Sequence, residues 1–217
     1  RLTGLYLRGD FTWASQDLGS IHEPPTYDLH STSIDTTTGW GGGIGYYFSK
    51  NVRADFTFDW RREADVRGTV SDVNATVQGE RQFGVKSMVG LFNVYYDFDI
   101  RSHFTPYIGV GLGFARNTTS AGNVAVTCAT DCVATFEGAT EWSAAGALMA
   151  GFSARLHDRL HLDAGYRFLY LGDAHTGDIT VACPTANPAC TAGGSSDPLV
   201  KDMTAHELRV GLRWDIK

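Results

Sequence analysis

The chain has 217 residues, enough for one sizeable domain or two small ones, and its 43% hydrophobic and 12% aromatic content excludes a disordered polypeptide. A formal charge of −6, from 24 acidic and 18 basic side chains with nothing denser than Arg61-Arg62, excludes a general nucleic-acid binder. The longest largely apolar stretch free of charge, Trp142 to Ala154, is 13 residues against the ~20 of a spanning helix; a helical membrane protein is excluded and other kinds are not.

In chain order, eight segments alternate apolar and polar residues, and a period of two means a strand with two unlike faces. The first carries Leu5, Leu7, Phe11 and Trp13 on one face, with Tyr6, Arg8, Asp10 and Thr12 on the other. The second sets Trp40, Ile44, Tyr46 and Phe48 against Gly41, Gly43, Gly45 and Tyr47. The third is the clearest: Val52, Ala54, Phe56, Phe58 and Trp60 alternate with Arg53, Asp55, Thr57 and Asp59. The fourth has Met88, Phe92, Val94, Tyr96 and Phe98 opposite Ser87, Asn93 and Asp97. Pro106, Ile108, Val110, Leu112 and Phe114 interleave with Tyr107, Gly109, Gly111 and Gly113 in the fifth. The sixth is weaker, with Trp142, Leu148, Ala150, Phe152 and Leu156 against Ser143, Ser153 and Arg155. The seventh has Leu160, Leu162, Ala164, Tyr166, Phe168 and Tyr170 facing away from His161, Asp163, Gly165 and Arg167. In the last, Leu208, Val210, Leu212, Trp214 and Ile216 oppose Glu207, Arg209, Arg213 and Asp215.

The connections alternate as well. Three are short, at Ser49-Lys50-Asn51, Asp99 to Phe104 and His157-Asp158-Arg159. Four are long and polar: roughly Ser15 to Thr37, Arg62 to Val85, Arg116 to Glu141 and Gly172 to Asp202. All the long ones therefore fall at one end of an up-and-down sheet, the anatomy of a transmembrane barrel with short periplasmic turns and long extracellular loops. The expected fold is all-β, an eight-stranded antiparallel transmembrane β-barrel formed by a single domain over residues 1–217. A sheet in a bilayer must close, so its apolar face meets lipid and its charges point inward. Phe56, Phe58, Phe92, Val94, Ile108, Val110, Leu162, Leu208, Val210 and Leu212 are the expected lipid-facing residues. Trp13, Trp40, Trp60, Trp142, Tyr46, Tyr96 and Tyr170 lie toward strand ends, where amphipathic rings favour the interface. Arg8, Asp10, Arg53, Asp55, Asp59, Arg61, Asp97, Arg155, Asp163, Arg167, Glu207, Arg209 and Arg213 are expected to form a mixed-sign interior network. An eight-stranded lumen is about wide enough for side chains to fill, so a salt-bridged plug is expected, with the inward glycines giving room to Arg and Tyr.

Five segments carry a resemblance to a known family. They are Tyr6-Leu7-Arg8-Gly9-Asp10-Phe11, Asn93-Val94-Tyr95-Tyr96-Asp97-Phe98, Thr105-Pro106-Tyr107-Ile108-Gly109-Val110-Gly111, Asp163 to Gly172 and Glu207 to Arg213. In order and spacing they resemble the OmpA-type eight-stranded outer-membrane barrels, and among these the small barrel-only proteins of alphaproteobacteria. The resemblance implies an integral protein of the bacterial outer membrane, with loops outside, both termini periplasmic, and a structural, adhesive or surface-contact role. Outer-membrane lipid, lipopolysaccharide and other envelope proteins are the implied partners. Two departures stand out. The chain ends Trp214-Asp215-Ile216-Lys217 without the terminal aromatic of such barrels, and the wall-anchoring role of longer relatives with a peptidoglycan-binding domain is not expected of these residues. With no initiator Met and no apolar signal core at its start, the chain reads as a processed or trimmed product.

On an exported chain, two cysteine pairs in the long loops suggest local disulfides Cys128–Cys132 and Cys183–Cys190, the cross-loop connectivities remaining open. Only His175 lies near them, so no metal site is expected, nor any cofactor. His206 and Glu207 are adjacent on a strand and point to opposite faces, and no Gly-x-Ser-x-Gly elbow exists, so no enzyme is expected. His157 and His161 flank a short turn and are expected in water, and two Asn-x-Thr matches, at Asn74 and Asn117, are read as chance. The alternatives are a narrow channel for ions or small solutes, a lipid-modifying barrel hydrolase and, with the faces reversed, a soluble lipocalin-like binder.

Overall fold

The computed structural model describes residues 4–17, 20–22, 27–34, 36–72, 78–100, 103–127, 132–175, 179–182 and 199–216. Among the described residues fourteen strands follow one another: β1 (Gly4–Asp17), β2 (Ser20–His22), β3 (Tyr27–Ile34), β4 (Thr37–Tyr47), β5 (Val52–Arg61), β6 (Ala64–Asp72), β7 (Gln78–Asp97), β8 (Phe104–Thr119), β9 (Gly122–Thr127), β10 (Cys132–Phe136), β11 (Thr140–His157), β12 (Leu160–His175), β13 (Ile179–Ala182) and β14 (Leu199–Asp215). Eight of them close on themselves. The antiparallel order is β1-β4-β5-β7-β8-β11-β12-β14, and β14 returns to β1 through Tyr6↔Asp215 to Asp17↔Thr204. These are the eight segments of alternating sequence, and the closed barrel leaves no sheet edge unpaired in a medium that offers no water to backbone groups.

The remaining six strands occupy the long connections. β6 pairs with β3 and with the first half of β7; β9 pairs with β7 and β10, β10 with β13, and β2 with the start of β14. Long connections expected as loops thus carry the sheet on past the barrel. In β6 the apolar residues are only Ala64, Val66 and Val70, too sparse a period to stand out from loop sequence. Strand lengths agree with this. A tilted spanning strand needs about 9–11 residues; β4 and β5 have 11 and 10, whereas β7 has 20.

Burial alternates with the sequence. Along β5, Arg53, Asp55, Thr57, Asp59 and Arg61 are buried while Phe56 and Trp60 are exposed. The ten apolar residues expected against lipid all lie on the outer face, with Leu208 at 62% exposure and Phe58 and Leu162 half-buried. Phe58 is covered by its neighbours, its ring 5.2 Å from Trp60 and 6.2 Å from Phe114. Trp40 and Trp60 stack at 4.8 Å, and Phe114 and Trp142 sit 5.6 Å apart, toward the long-connection end. Tyr46 with Phe48 and Tyr96 with Phe98 form the matching pairs at the short-turn end. An outer surface this apolar, bounded by two aromatic girdles, belongs in hydrocarbon rather than water. Glycine is required at Gly172, where φ is +71° and the β12–β14 register shifts.

Phe56→Arg is expected to destabilise the barrel by about 2–4 kcal/mol in reversible urea unfolding from lipid vesicles. A silent Phe56→Arg combined with a severe Asp55→Phe would reverse the two faces.

Candidate functional site

The inward side chains of β1, β5, β12 and β14, with the end of β7, build the polar part of the lumen. Six arginines and six carboxylates are buried there: Arg8, Arg53, Arg61, Arg167, Arg209 and Arg213 with Asp10, Asp55, Asp59, Asp97, Asp163 and Glu207. The described interior is therefore neutral in sum, though the chain as a whole is acidic.

The charges link into one chain and two side branches. Arg8 grips Asp10 with two parallel bonds, Nε to Oδ2 at 2.8 Å and Nη2 to Oδ1 at 2.7 Å, and turns Nη1 to Asp55 at 2.8 Å. Arg209 lies 3.2 Å from Asp10 and 3.4 Å from Asp59, and Arg167 donates to Asp59 at 2.6 Å. Arg167 also pairs with Glu207, and Glu207 with Arg61. Asp55 is satisfied further by the Tyr6 hydroxyl at 3.0 Å and the Asn93 amide at 2.8 Å. In one branch, Arg53 donates through Nε to Asp97 at 3.0 Å, with its guanidinium carbon 4.0 Å from the centre of the Tyr95 ring and 5.0 Å from that of Tyr107. In the other, Arg213 meets Asp163 at 3.3 Å and donates to the Ser153 hydroxyl at 2.8 Å, with Tyr6 and Tyr47 at 5.5 Å. Charges this deeply buried persist only when paired and hydrogen-bonded.

Arg155, expected in this network, is exposed. It shares the inward parity of Ser153, yet it stands where the β11–β12 pairing bulges into the 158–159 turn, past the mouth of the lumen. His161 is corrected the other way: it is half-buried at that mouth, with Nε2 3.1 Å from Asp215.

The salt-bridged plug fills only part of the lumen. Val85, Val89 and Leu91 on β7, Ala115 on β8, Ala145, Ala147 and Met149 on β11, Leu169 and Leu171 on β12, and Met203 and Ala205 on β14 point inward and form one buried apolar cluster with Tyr95 and Tyr107. Their signal was in the sequence: Leu169 and Leu171 continue the parity of Asp163 and Arg167. Inward glycines complete the fit. A Cβ at Gly41 would overlap the Asp59 carboxylate, and one at Gly45 the Tyr6 ring. Among the described residues, a cavity of about 10 Å³ is lined by Arg8, Asp10, Tyr95, Tyr107, Asp163 and Arg209 among others, about the space of one water.

The residues weighed for catalysis stay apart. His206 is exposed on the outer face against the Tyr166 hydroxyl, while Glu207 is buried among arginines. Ser143 donates to the Asp173 carbonyl, and Ser153 is held by Arg213. The expected disulfides lie outside the described residues: Cys128, Cys183 and Cys190 are not among them, and Cys132 is described as backbone of β10 alone. Outside the barrel wall, the Ser120 hydroxyl and then Lys86 hold the Glu63 carboxyl below its usual range.

The sequence itself decides the family: the outer membrane protein beta-barrel domain matches residues 2–187. The chain belongs to that family. It is therefore an outer-membrane barrel of Gram-negative bacteria, of the type that includes the relatives below. It is 29% identical over 248 residues to an uncharacterized protein of Brucella abortus, an alignment covering all of this chain and 86% of that one. It is 28% identical to the outer membrane protein PagN of Salmonella typhimurium, over 80% of this chain and 81% of PagN. Among solved structures, the outer membrane protein OprG of Pseudomonas aeruginosa shares the fold at a TM-score of 0.55 and 14% identity, covering 99% and 98% of the two chains.

Asp59→Ala would leave Arg167 and Arg209 short of a shared carboxylate in the lumen. The expected loss is about 3–5 kcal/mol in vesicle unfolding, whereas Asp158→Ala on the exposed turn is expected to change stability by no more than about 0.5 kcal/mol.

Proposed function

We propose that this barrel is a closed structural and surface-contact protein: it anchors in outer-membrane lipid and presents its long connections outside, with both termini on the periplasmic side. The observation that carries the reading is the filled lumen. Six arginines and six carboxylates neutralise one another, an apolar layer packs beside them, and the cavity among Arg8, Asp10, Tyr95, Tyr107, Asp163 and Arg209 has room for about one water. Barrels with open aqueous channels use 16 or more strands. Contact with partners then falls to the outer wall and to the long connections, where β6 and β9 prolong the sheet of β7. Sheet carried past the bilayer gives these connections a rigid base, which suits adhesion or docking better than free loops would. The lipid of the outer leaflet, lipopolysaccharide included, and neighbouring envelope proteins are the partners this reading implies.

The rival reading is a narrow conduit through the polar part of the lumen. Planar-bilayer recording separates the two. The closed-barrel reading expects no stable unitary openings from the purified, heat-modifiable protein at either polarity. Reproducible openings of one size, scaling with salt concentration, would establish the conduit instead.

A further inference from the structure

One sector of the outer wall departs from the apolar band. Trp60, Met88, Arg116 and Trp142 form a lateral row across β5, β7, β8 and β11 through the pairs Trp60↔Met88, Met88↔Arg116 and Arg116↔Trp142. Arg116 is exposed, and its guanidinium carbon sits 6.0 Å from the centre of the Trp142 ring. One step further toward the long-connection end, Lys86 stands opposite Thr118, with its side chain 63% exposed. Arg62, two residues beyond Trp60, is exposed as well. Arg62 just past the end of β5, Lys86 on β7 and Arg116 on β8 thus bring three cations to three neighbouring strands, with strands about 4.8 Å apart. The carboxylate described among them is Glu63, 3.2 Å from Lys86 and hydrogen-bonded by Ser120 at 2.9 Å. Asp65, also exposed, stands further out on β6, opposite Gly84. On the β12–β14 side of the same rim the described side-chain charges are acidic: Asp173, and Asp202, which accepts from the Tyr170 hydroxyl at 3.0 Å. The level of the tryptophans is thus basic in one sector, and two exposed tryptophans flank that sector.

We propose that Arg62, Lys86 and Arg116 form a clamp for the phosphate groups of a phosphorylated glycolipid in the outer leaflet. Tryptophans at a barrel girdle mark the level of the headgroups. Long basic side chains just beyond them reach headgroup phosphates while their stems stay on apolar wall. The Arg116 guanidinium carbon lies 6.0 Å from the centre of the Trp142 ring, close enough for the ring face to attract the cation. Glu63 offsets one of the three cations, and the surplus positive charge faces the headgroups. The clamp rests on the membrane orientation proposed above and is independent of whether the lumen conducts.

Native mass spectrometry of the full chain in detergent, titrated with bisphosphorylated lipid A or with its dephosphorylated form, reads the clamp directly. Wild-type protein is expected to retain the phosphorylated form preferentially. R62Q/K86Q/R116Q is expected to weaken that retention by about fivefold per charge, on the order of a hundredfold together, while keeping heat-modifiable mobility. R62K/R116K, which keeps the charges, and R155Q/R159Q, which removes two exposed cations at the other rim, are expected to bind as wild type. Equal retention of the two lipids by the wild-type protein would overturn the clamp. So would full retention by the triple glutamine variant, or an equal loss in R155Q/R159Q. None of these results bears on conductance, so the clamp and the closed-barrel reading fail separately.

Discussion

Buried arginine–carboxylate pairing inside a closed sheet is the interaction on which the rest of this barrel depends. Membrane placement turns the apolar face of every strand outward, and the polar face is then left in a lumen too narrow to hold bulk water. Charges there keep their ionised form only if each finds an opposite charge and enough hydrogen bonds. The balance of six arginines against six carboxylates meets the first of these conditions. So does the sharing of partners, with Asp59 between Arg167 and Arg209 and Asp10 between Arg8 and Arg209.

Packing around those pairs follows from their size. Guanidinium groups need flat surfaces beside them as well as carboxylates, and Tyr6, Tyr47, Tyr95 and Tyr107 supply ring faces to Arg213 and Arg53. Side chains this large crowd an eight-stranded lumen, so the strands opposite them give way. The inward glycines of β4 lie against Asp59 and Tyr6, and Gly109 of β8 lies against Tyr95. Where β7, β11 and β12 carry no charge, Val, Leu, Ala and Met close the remaining space. A lumen filled in this way supports an anchored, closed role and moves contact with the surroundings to the outer wall and the long connections.

Much of this was legible in the sequence because the period of a strand is two and the solvent on its two sides differs. Strand number, closure, the outward apolar set and most of the inward charges came from parity and from the alternation of short and long connections. Arg155 was misplaced because parity says which face a residue is on and not how far along the axis the lumen extends. The apolar part of the lumen was overlooked because inward was equated with polar, although Leu91, Leu169 and Leu171 carry the right parity. Pairings such as Arg61 with Glu207 join residues far apart in the chain and depend on register and stagger, which no local pattern encodes. The basic sector at Arg62, Lys86 and Arg116 was invisible for the same reason: its members come together only across three strands.

A double-mutant cycle on Arg53 and Asp97, a buried pair whose charges meet at 3.0 Å, tests the central claim most directly. Arg53→Met and Asp97→Leu would each be measured alone and together by reversible unfolding from lipid vesicles. If the lumen is held by mutual neutralisation, each single change is severe, and the double variant recovers much of the loss, with a coupling of about 1–3 kcal/mol. Strictly additive losses would mean that these charges do not neutralise one another and that the lumen is hydrated rather than packed.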